Sequence, residues 1–458
     1  MKGIRPIHRC QEGQTLIYVL CFLFLALGLV VSILPLGSNH RKIAQQQVDL
    51  EKAMYVAEAG MEFGARYLAS NIVGIAAVTV TNGSVGQGSY SCMISQLDYR
   101  SFSIVSTGTV NNVSRVVRLR RIYEPTYAEF AIWSATNGAI FFTVGEVFTG
   151  HVHSDTPLYF MNPGGTSGPT FHDYCDSLTN CYYSETGSSQ VKNGSLAGVT
   201  FDKGFQLNAY AGTMADVDFN SASSQSLLNL ANNNNGLVLQ GSTTITFNGG
   251  TVTIVNSRHS PTNFVYTPAS EGLIYVQNAT SGSSPRQGQA YLRGGGVTGR
   301  LTVVTESNVY VNGSINYTND PRTNSASTDA LGIISGVDIV VGSSAPNNLE
   351  IDAEMMATGK LAPSNYSTPF SPALGSGASG AFGVSGYDGG SPRGTLTLYG
   401  GIVQENRGPV GTLDSHGNMS TGYSKNYSYD RRFIDKPPPF YPTVKDKYLW
   451  NNWQEGPN

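Results

Sequence analysis

Residues 12–36 read EGQTLIYVLCFLFLALGLVVSILPL, an uncharged apolar run entered through Glu12-Gly13-Gln14 and closed by Pro35-Leu36. From Thr15 to Leu36 no side chain is ionisable except Tyr18 and Cys21. About 22 residues at roughly 1.5 Å each reach about 33 Å, so one helix can cross the hydrocarbon core of a bilayer. Lys2, Arg5 and Arg9 precede the run and Arg41 and Lys42 follow it, which favours a cytoplasmic N-terminus by a small margin and leaves the rest of the chain outside. A secretory signal would have a shorter apolar core and a small-residue cleavage site. A lipoprotein signal fits worse, because Cys10 precedes the core and Cys21 follows Leu20.

Helical character continues beyond Pro35. Ala53, Met54, Ala57, Met61, Ala65 and Leu68 recur every three to four residues, with Asp49, Glu51, Lys52, Glu58, Glu62 and Arg66 elsewhere. The pattern predicts one long helix, apolar in its first half and amphipathic in its second. Glu62 and Arg66 stand one turn apart in the favourable order, worth about 0.3 kcal/mol.

Taken together, these residues resemble the N-terminus of type IV pilins and type II secretion pseudopilins, and most closely the PilX-like minor pilins. The short basic leader ends at Gly13, Pro35 falls where pilin helices often carry proline, and Tyr55-Val56-Ala57-Glu58-Ala59-Gly60 is similar to the A-x-x-A-E-A-G stretch of the PilX-like group. The resemblance covers residues 1–70. It implies cleavage by a prepilin peptidase between Gly13 and Gln14, an anchor in a bacterial inner membrane, and association with other pilins or pseudopilins through the helix.

One departure is informative. Tyr18 stands fifth after the implied cleavage point, where shaft-forming pilins carry a glutamate that neutralises a neighbouring terminal amine. An unpaired charge in an apolar filament core is costly, so a subunit lacking that glutamate suits a tip better than a repeating shaft. The competing reading makes Tyr18 an ordinary aromatic of a non-pilin anchor.

Composition indicates a β-rich body. Only 13% of residues are charged and 53 of 458 are glycine, with Ser, Thr and Asn abundant, so few long helices are expected beyond the first. A net charge of −3 gives no electrostatic case for nucleic-acid binding. A hydrophobic fraction of 40% is enough for a buried core. Outside the leader and the apolar run lie Cys92, Cys175 and Cys181. Cys175 and Cys181 enclose DSLTN, a loop short enough for a local disulfide, with two free thiols as the alternative.

Punctuation by Gly, Asn and Pro divides the chain into a leader (1–13), the helix (14–70), a small β-sheet (71–124), a Gly/Ser/Asn-rich β region (125–268), a β-helix-like domain (269–425) and a proline- and aromatic-rich strap (426–458). Asn82-Gly83 and Asn111-Asn112 are read as turns of the small sheet, and Arg115, Arg118, Arg120 and Arg121 as a charged edge strand that resists aggregation. Asn248-Gly249-Gly250 closes a hairpin. From 272 onward short apolar strands such as Leu273–Val276, Leu301–Val304 and Val337–Val341 are each bounded by Gly or Asn, as rungs of a solenoid would be. The expected class is therefore α+β, mostly β: a long pilin-like helix, a small antiparallel sheet, then a parallel β-helix-like solenoid, with a β-sandwich as alternative. The proline-rich tail caps an open solenoid end on this reading.

Chemistry-bearing motifs are sparse. His151, His153 and Asp155 alternate in His-Val-His-Ser-Asp, so a strand would present all three on one face, and a metal site could be assembled from them. A His-x-His alone is a weak signal, and no metal or cofactor is expected. Asp338, Glu350, Asp352 and Glu354 could be recruited by a solenoid carbohydrate-active enzyme, although their even scatter reads as structural. No nucleophile elbow, zincin motif or Walker loop is present. The expectation is a non-enzymatic minor pilin or pseudopilin, tip-located, whose outward head initiates assembly or adheres to a surface or glycan. The alternatives are a membrane-anchored β-helix polysaccharide-active enzyme and an uncleaved tethered adhesin.

Overall fold

The computed structural model describes residues 12–71, 78–97, 100–138, 140–161, 167–179, 181–183, 190–191, 196–207, 217–281, 287–414, 418–444 and 449–456. The chain forms two compact units, Met1–Tyr123 with Trp450–Asn458, and Glu124–Leu449.

In the first unit, α1 (Glu12–Asn71) runs unbroken through Pro35. The lost Pro35 N–H is one bond in a long ladder, and Ser38 Oγ donates to Pro35 O at 2.9 Å. The buried face is Asp49, Ala53, Val56, Ala57, Gly60, Gly64 and Leu68. The helical period is as the sequence predicts, but Met54, Met61 and Ala65 sit half-buried at its margins while two glycines hold its centre. They do so because the sheet approaches closely: a Cβ on Gly60 would fall 2.7 Å from the Tyr90 ring, and one on Gly64 would meet Cys92 Sγ.

That sheet comprises β1 (Val78–Val85), β2 (Gly88–Gln96), β3 (Ser101–Val110) and β4 (Val113–Tyr123), all antiparallel. Asn111 and Asn112 both take left-handed φ, 47° and 66°, and make the β3–β4 turn. Asp49 accepts from Asn111 Nδ2 at 3.3 Å and from Gln45 Nε2 at 3.0 Å, tying α1 to that turn. The turn expected at Asn82-Gly83 is not formed. β1 passes straight through it, pairing Gly83 with Tyr90, and the chain reverses at Gly86, whose φ is 59°. Gly83 serves packing instead, since a Cβ there would enter the Tyr90 ring.

The strand Leu449–Gly456 joins the sheet beside β4. β4 is therefore not an edge, contrary to the reading of its arginines as aggregation-resisting charges. Arg115 lies 3.5 Å from Glu455, and Arg121 stacks over the Tyr123 ring at 4.5 Å. The expected strap over 426–458 accordingly divides, its last residues being a strand of the first unit.

The second unit is a stack of parallel coils, each contributing short strands to three walls. One wall runs Leu237–Gln240, Glu271–Gln277, Arg300–Thr305, Ala330–Ser335, the second half of Glu350–Ala357, the second half of Pro392–Asn406, β5 (Phe130–Thr136), His151–Ser154, Cys175–Ser177 and Phe205–Leu207. Every neighbour in it is parallel, so the β-sandwich alternative does not hold. No break falls between residues 268 and 269, because the Leu237–Gln240 strand pairs with Glu271–Gln277. Nor do the first residues of the unit form one end of the stack: β5 lies in the middle, against Pro392–Asn406.

Register explains the stability of the wall. Ile274, Val303, Ile333, Met355, Ile402, Ile132, Val152, Cys175 and Phe205 align in one row, all at 3% exposure or less. Each rung thus lays apolar surface on the next, at roughly 25 cal/mol per Å². In the coils after β5 the filling is aromatic: Phe148, Phe171 and Phe201 are in register and stack at 5.1 and 5.3 Å between ring centres.

The other face of this wall is covered by residues 429–444. Arg432 donates to Ser327 O at 2.9 Å and Asp329 O at 2.8 Å, Arg300 Nη2 donates to Pro437 O at 2.6 Å, and Phe433 and Tyr441 are fully buried. Proline denies this segment ladder hydrogen bonds, so side chains fix it across the strands.

Candidate functional site

Two features could carry function, one in each unit. In the first, the apolar half of α1 stands bare: within Thr15–Leu68 the most apolar window, of mean hydropathy 2.9, is 0% buried. Phe22 is 74% exposed and Tyr18 71%. Such a surface needs lipid or other helices around it, and α1 is a candidate membrane anchor. Gly13 and Gln14 fall in the first helical turn, while their side chains and residues 1–11 lie outside the described residues.

In the second unit, adjacent coils bring together His151, His153 and Asp176. Parallel register sets Trp133, His153 and Asp176 side by side in the row that faces away from the apolar filling. One ligand atom from each of His151, His153 and Asp176 lies within 4.8 Å of the others. His151 Nε2 and His153 Nδ1 both contact the Asp176 carboxylate, and His153 Nε2 lies 2.8 Å from Asp155 Oδ1. Phe130 and Trp133 wall the rings, at 4.6 Å from His151 and 4.8 Å from His153 between centres.

Burial would lower the basicity of His153, but hydrogen bonds to Asp155 and Asp176 outweigh it and hold the pKa above its ordinary value. Burial would raise Asp176, yet the two imidazoles hold it down at about 2. The alternation of His151, His153 and Asp155 is legible in the sequence. Asp176 is not, since it arrives from the next coil. The reading of Cys175 and Cys181 as a disulfide turns on the Cys181 side chain, which lies outside the described part of the structure; Cys175 itself lies buried in the aromatic filling.

Of the four acids considered for carbohydrate chemistry, Glu350, Asp352 and Glu354 share the strand Glu350–Ala357 and Asp338 lies outside it. Asp338 accepts from Tyr366 Oη at 2.6 Å and Ala381 N at 2.9 Å, with burial raising its pKa. Glu350 meets Arg322 at 2.9 Å, and Asp352, also beside Arg322, is pushed up to about 6 by burial. Glu354 is fully buried; neither of its oxygens has a hydrogen-bond partner among the described residues, and burial drives its pKa far upward.

A cavity of about 290 Å³ opens where β5 meets Pro392–Asn406, lined by Ile132, Phe382, Tyr387, Ile402, Arg407 and Lys425 among others. Lys425 Nζ lies 2.6 Å from Glu146, and Arg407 sits 3.7 Å over the Phe142 ring and donates to Asn137 Oδ1 at 3.2 Å. Burial lowers both cations, Arg407 to about 10, against the pull of Glu146.

No protein-family model matches the chain, and no curated protein does. Among solved structures, the competence-associated pilin ComZ from Thermus thermophilus aligns over 89% of this chain and 97% of its own, with a TM-score of 0.35 and 12% sequence identity.

Proposed function

We propose that this chain is a minor pilin-like subunit that inserts α1 among the helices of a filament or its assembly complex and displays the parallel stack outside the inner membrane. The observation that carries the reading is the division of α1: a bare apolar half, then a half whose small-residue face is packed on the five-stranded sheet that contains β1 to β4. Exposed apolar side chains over several turns are stable only in lipid or against like helices. Tyr18 in place of an acid supports a tip position or rare incorporation over a repeating shaft, and the size of the outward unit supports the same. On this reading the PilX-like minor pilins are the relevant group, the stack initiates assembly or contacts a surface or glycan, and its role is non-catalytic. Each acid named above is sealed under other residues or paired with arginine or backbone, which supports that last point.

The N-terminal mass of the protein, expressed with and without a prepilin peptidase, tests this. A start at Gln14 only when the peptidase is present is expected, and a Gly13→Lys change should abolish the shift. Retention of Met1 in cells with an active peptidase contradicts the proposal and leaves the anchored polysaccharide-active enzyme and the tethered adhesin, which turnover of an acidic glycan separates.

A further inference from the structure

His153 is fully buried and its two ring nitrogens each face a carboxylate, Nδ1 toward Asp176 and Nε2 toward Asp155. A neutral imidazole has one N–H and one lone pair, so it satisfies one of these carboxylates and opposes the other. His151 Nε2 points at the same Asp176 carboxylate. Either a second proton on His153 or a cation in the space shared by His151 Nε2, His153 Nδ1 and Asp176 resolves this conflict, and the three ligand atoms lie close enough to one another to hold an ion.

We propose that His151, His153 and Asp176 bind a divalent transition-metal ion such as zinc, with Asp155 orienting His153 from behind. Two imidazoles and one carboxylate are a borderline donor set that suits zinc or cobalt better than calcium or magnesium. Asp155 takes the Nε2–H and fixes the tautomer that turns the Nδ1 lone pair inward, the carboxylate–histidine–metal arrangement of metalloproteins in general. Donors from two strands in register, His153 opposite Asp176, place the ion as a clamp between neighbouring coils. The His151 side chain is 22% exposed while that of Asp176 is 2% exposed, so solvent reaches the site from the His151 side and supplies the remaining ligand there.

The test is a cobalt titration of the full-length protein in detergent micelles after chelator treatment. One equivalent of Co²⁺ per chain is expected to give a visible d–d band, displaced by one equivalent of Zn²⁺. His151→Ala and Asp176→Asn should each weaken binding at least 100-fold, and Asp155→Asn by about 10- to 100-fold. His172→Ala, an exposed histidine paired with Asp202, should leave the band unchanged. In the cobalt-loaded wild type, two paramagnetically shifted imidazole N–H resonances report ligation by two histidines without recourse to a variant. Absence of a stoichiometric band in the wild type, a band that survives His151→Ala, or shifted resonances from fewer than two histidines would overturn the proposal.

Discussion

Gln404 donates its side-chain amide to Ser134 Oγ at 3.2 Å across 270 residues of chain. Its amide oxygen accepts from Phe382 N at 3.2 Å and Gly408 N at 3.3 Å, so one buried side chain joins the earliest coil of the second unit to its late ones. Since β5 sits between Pro392–Asn406 and His151–Ser154, the stack is not continuous until residues beyond 400 are in place. Contacts at that separation come late and fold slowly.

Gln404→Ala should cost roughly 2–4 kcal/mol, because it strands two buried backbone N–H groups and a hydroxyl at once. Denaturant unfolding followed through the fluorescence of buried Trp133 measures it. A midpoint equal to that of the wild type would show that the 270-residue junction contributes nothing.

Glu354→Gln should stabilise the protein as pH rises. The folded-state pKa of Glu354 lies far above the ordinary value because of burial, with Asp430 adding to the effect. A group raised in this way contributes most at pH below its unfolded value and loses that contribution as pH climbs toward the folded one. The amide mimics the neutral acid and has nothing to lose. Melting temperatures at pH 5 and pH 8 should therefore fall for the wild type relative to the variant; parallel curves would mean that the carboxyl is not held neutral.

Gly108→Ala should loosen α1 from its sheet. A Cβ at Gly108 would lie 2.9 Å from the Val56 carbonyl carbon and closer still to Ala53 O and Ala57 N, which are helix backbone and cannot swing aside. About 1–3 kcal/mol is expected. Hydrogen exchange of the amides of residues 53–64 is the readout, and protection equal to the wild type would refute the close approach.

Arg432→Ala should free residues 430–444 from the wall they cover. It removes the donors to Ser327 O and Asp329 O and the ion pair with Asp430 at 2.6 Å. Limited proteolysis within that segment should accelerate about tenfold, equivalent to about 1.4 kcal/mol of local opening. Unchanged cleavage would assign the hold to buried Tyr441 and Phe433 and to the bonds from Arg300 and Thr302 to the prolines.

Much of the architecture is legible because its signals are local. An uncharged run long enough to span a bilayer, followed by a period near 3.6, specifies α1, and Asn111-Asn112 specifies its turn by tolerance of left-handed φ. Asn82-Gly83 carries the same local signal and misleads, since the packing of Tyr90 across Gly83 overrides it. The candidate metal site divides likewise. The spacing of His151 and His153 is written in one strand, whereas Asp176, 23 residues beyond His153, becomes its neighbour only through the length of the coil between them.

What the sequence determines by itself is the helix, its bare apolar half and the predominance of short parallel-capable strands, because hydropathy, periodicity and turn propensity act over a few residues. Only the tertiary structure decides that β5 takes the middle of the stack, that residues 449–456 return to flank β4, and that Asp176 and not Asp155 shares the space between the two histidines. Those outcomes depend on which apolar rows align across coils, and register between distant strands is settled by packing, which no local pattern encodes.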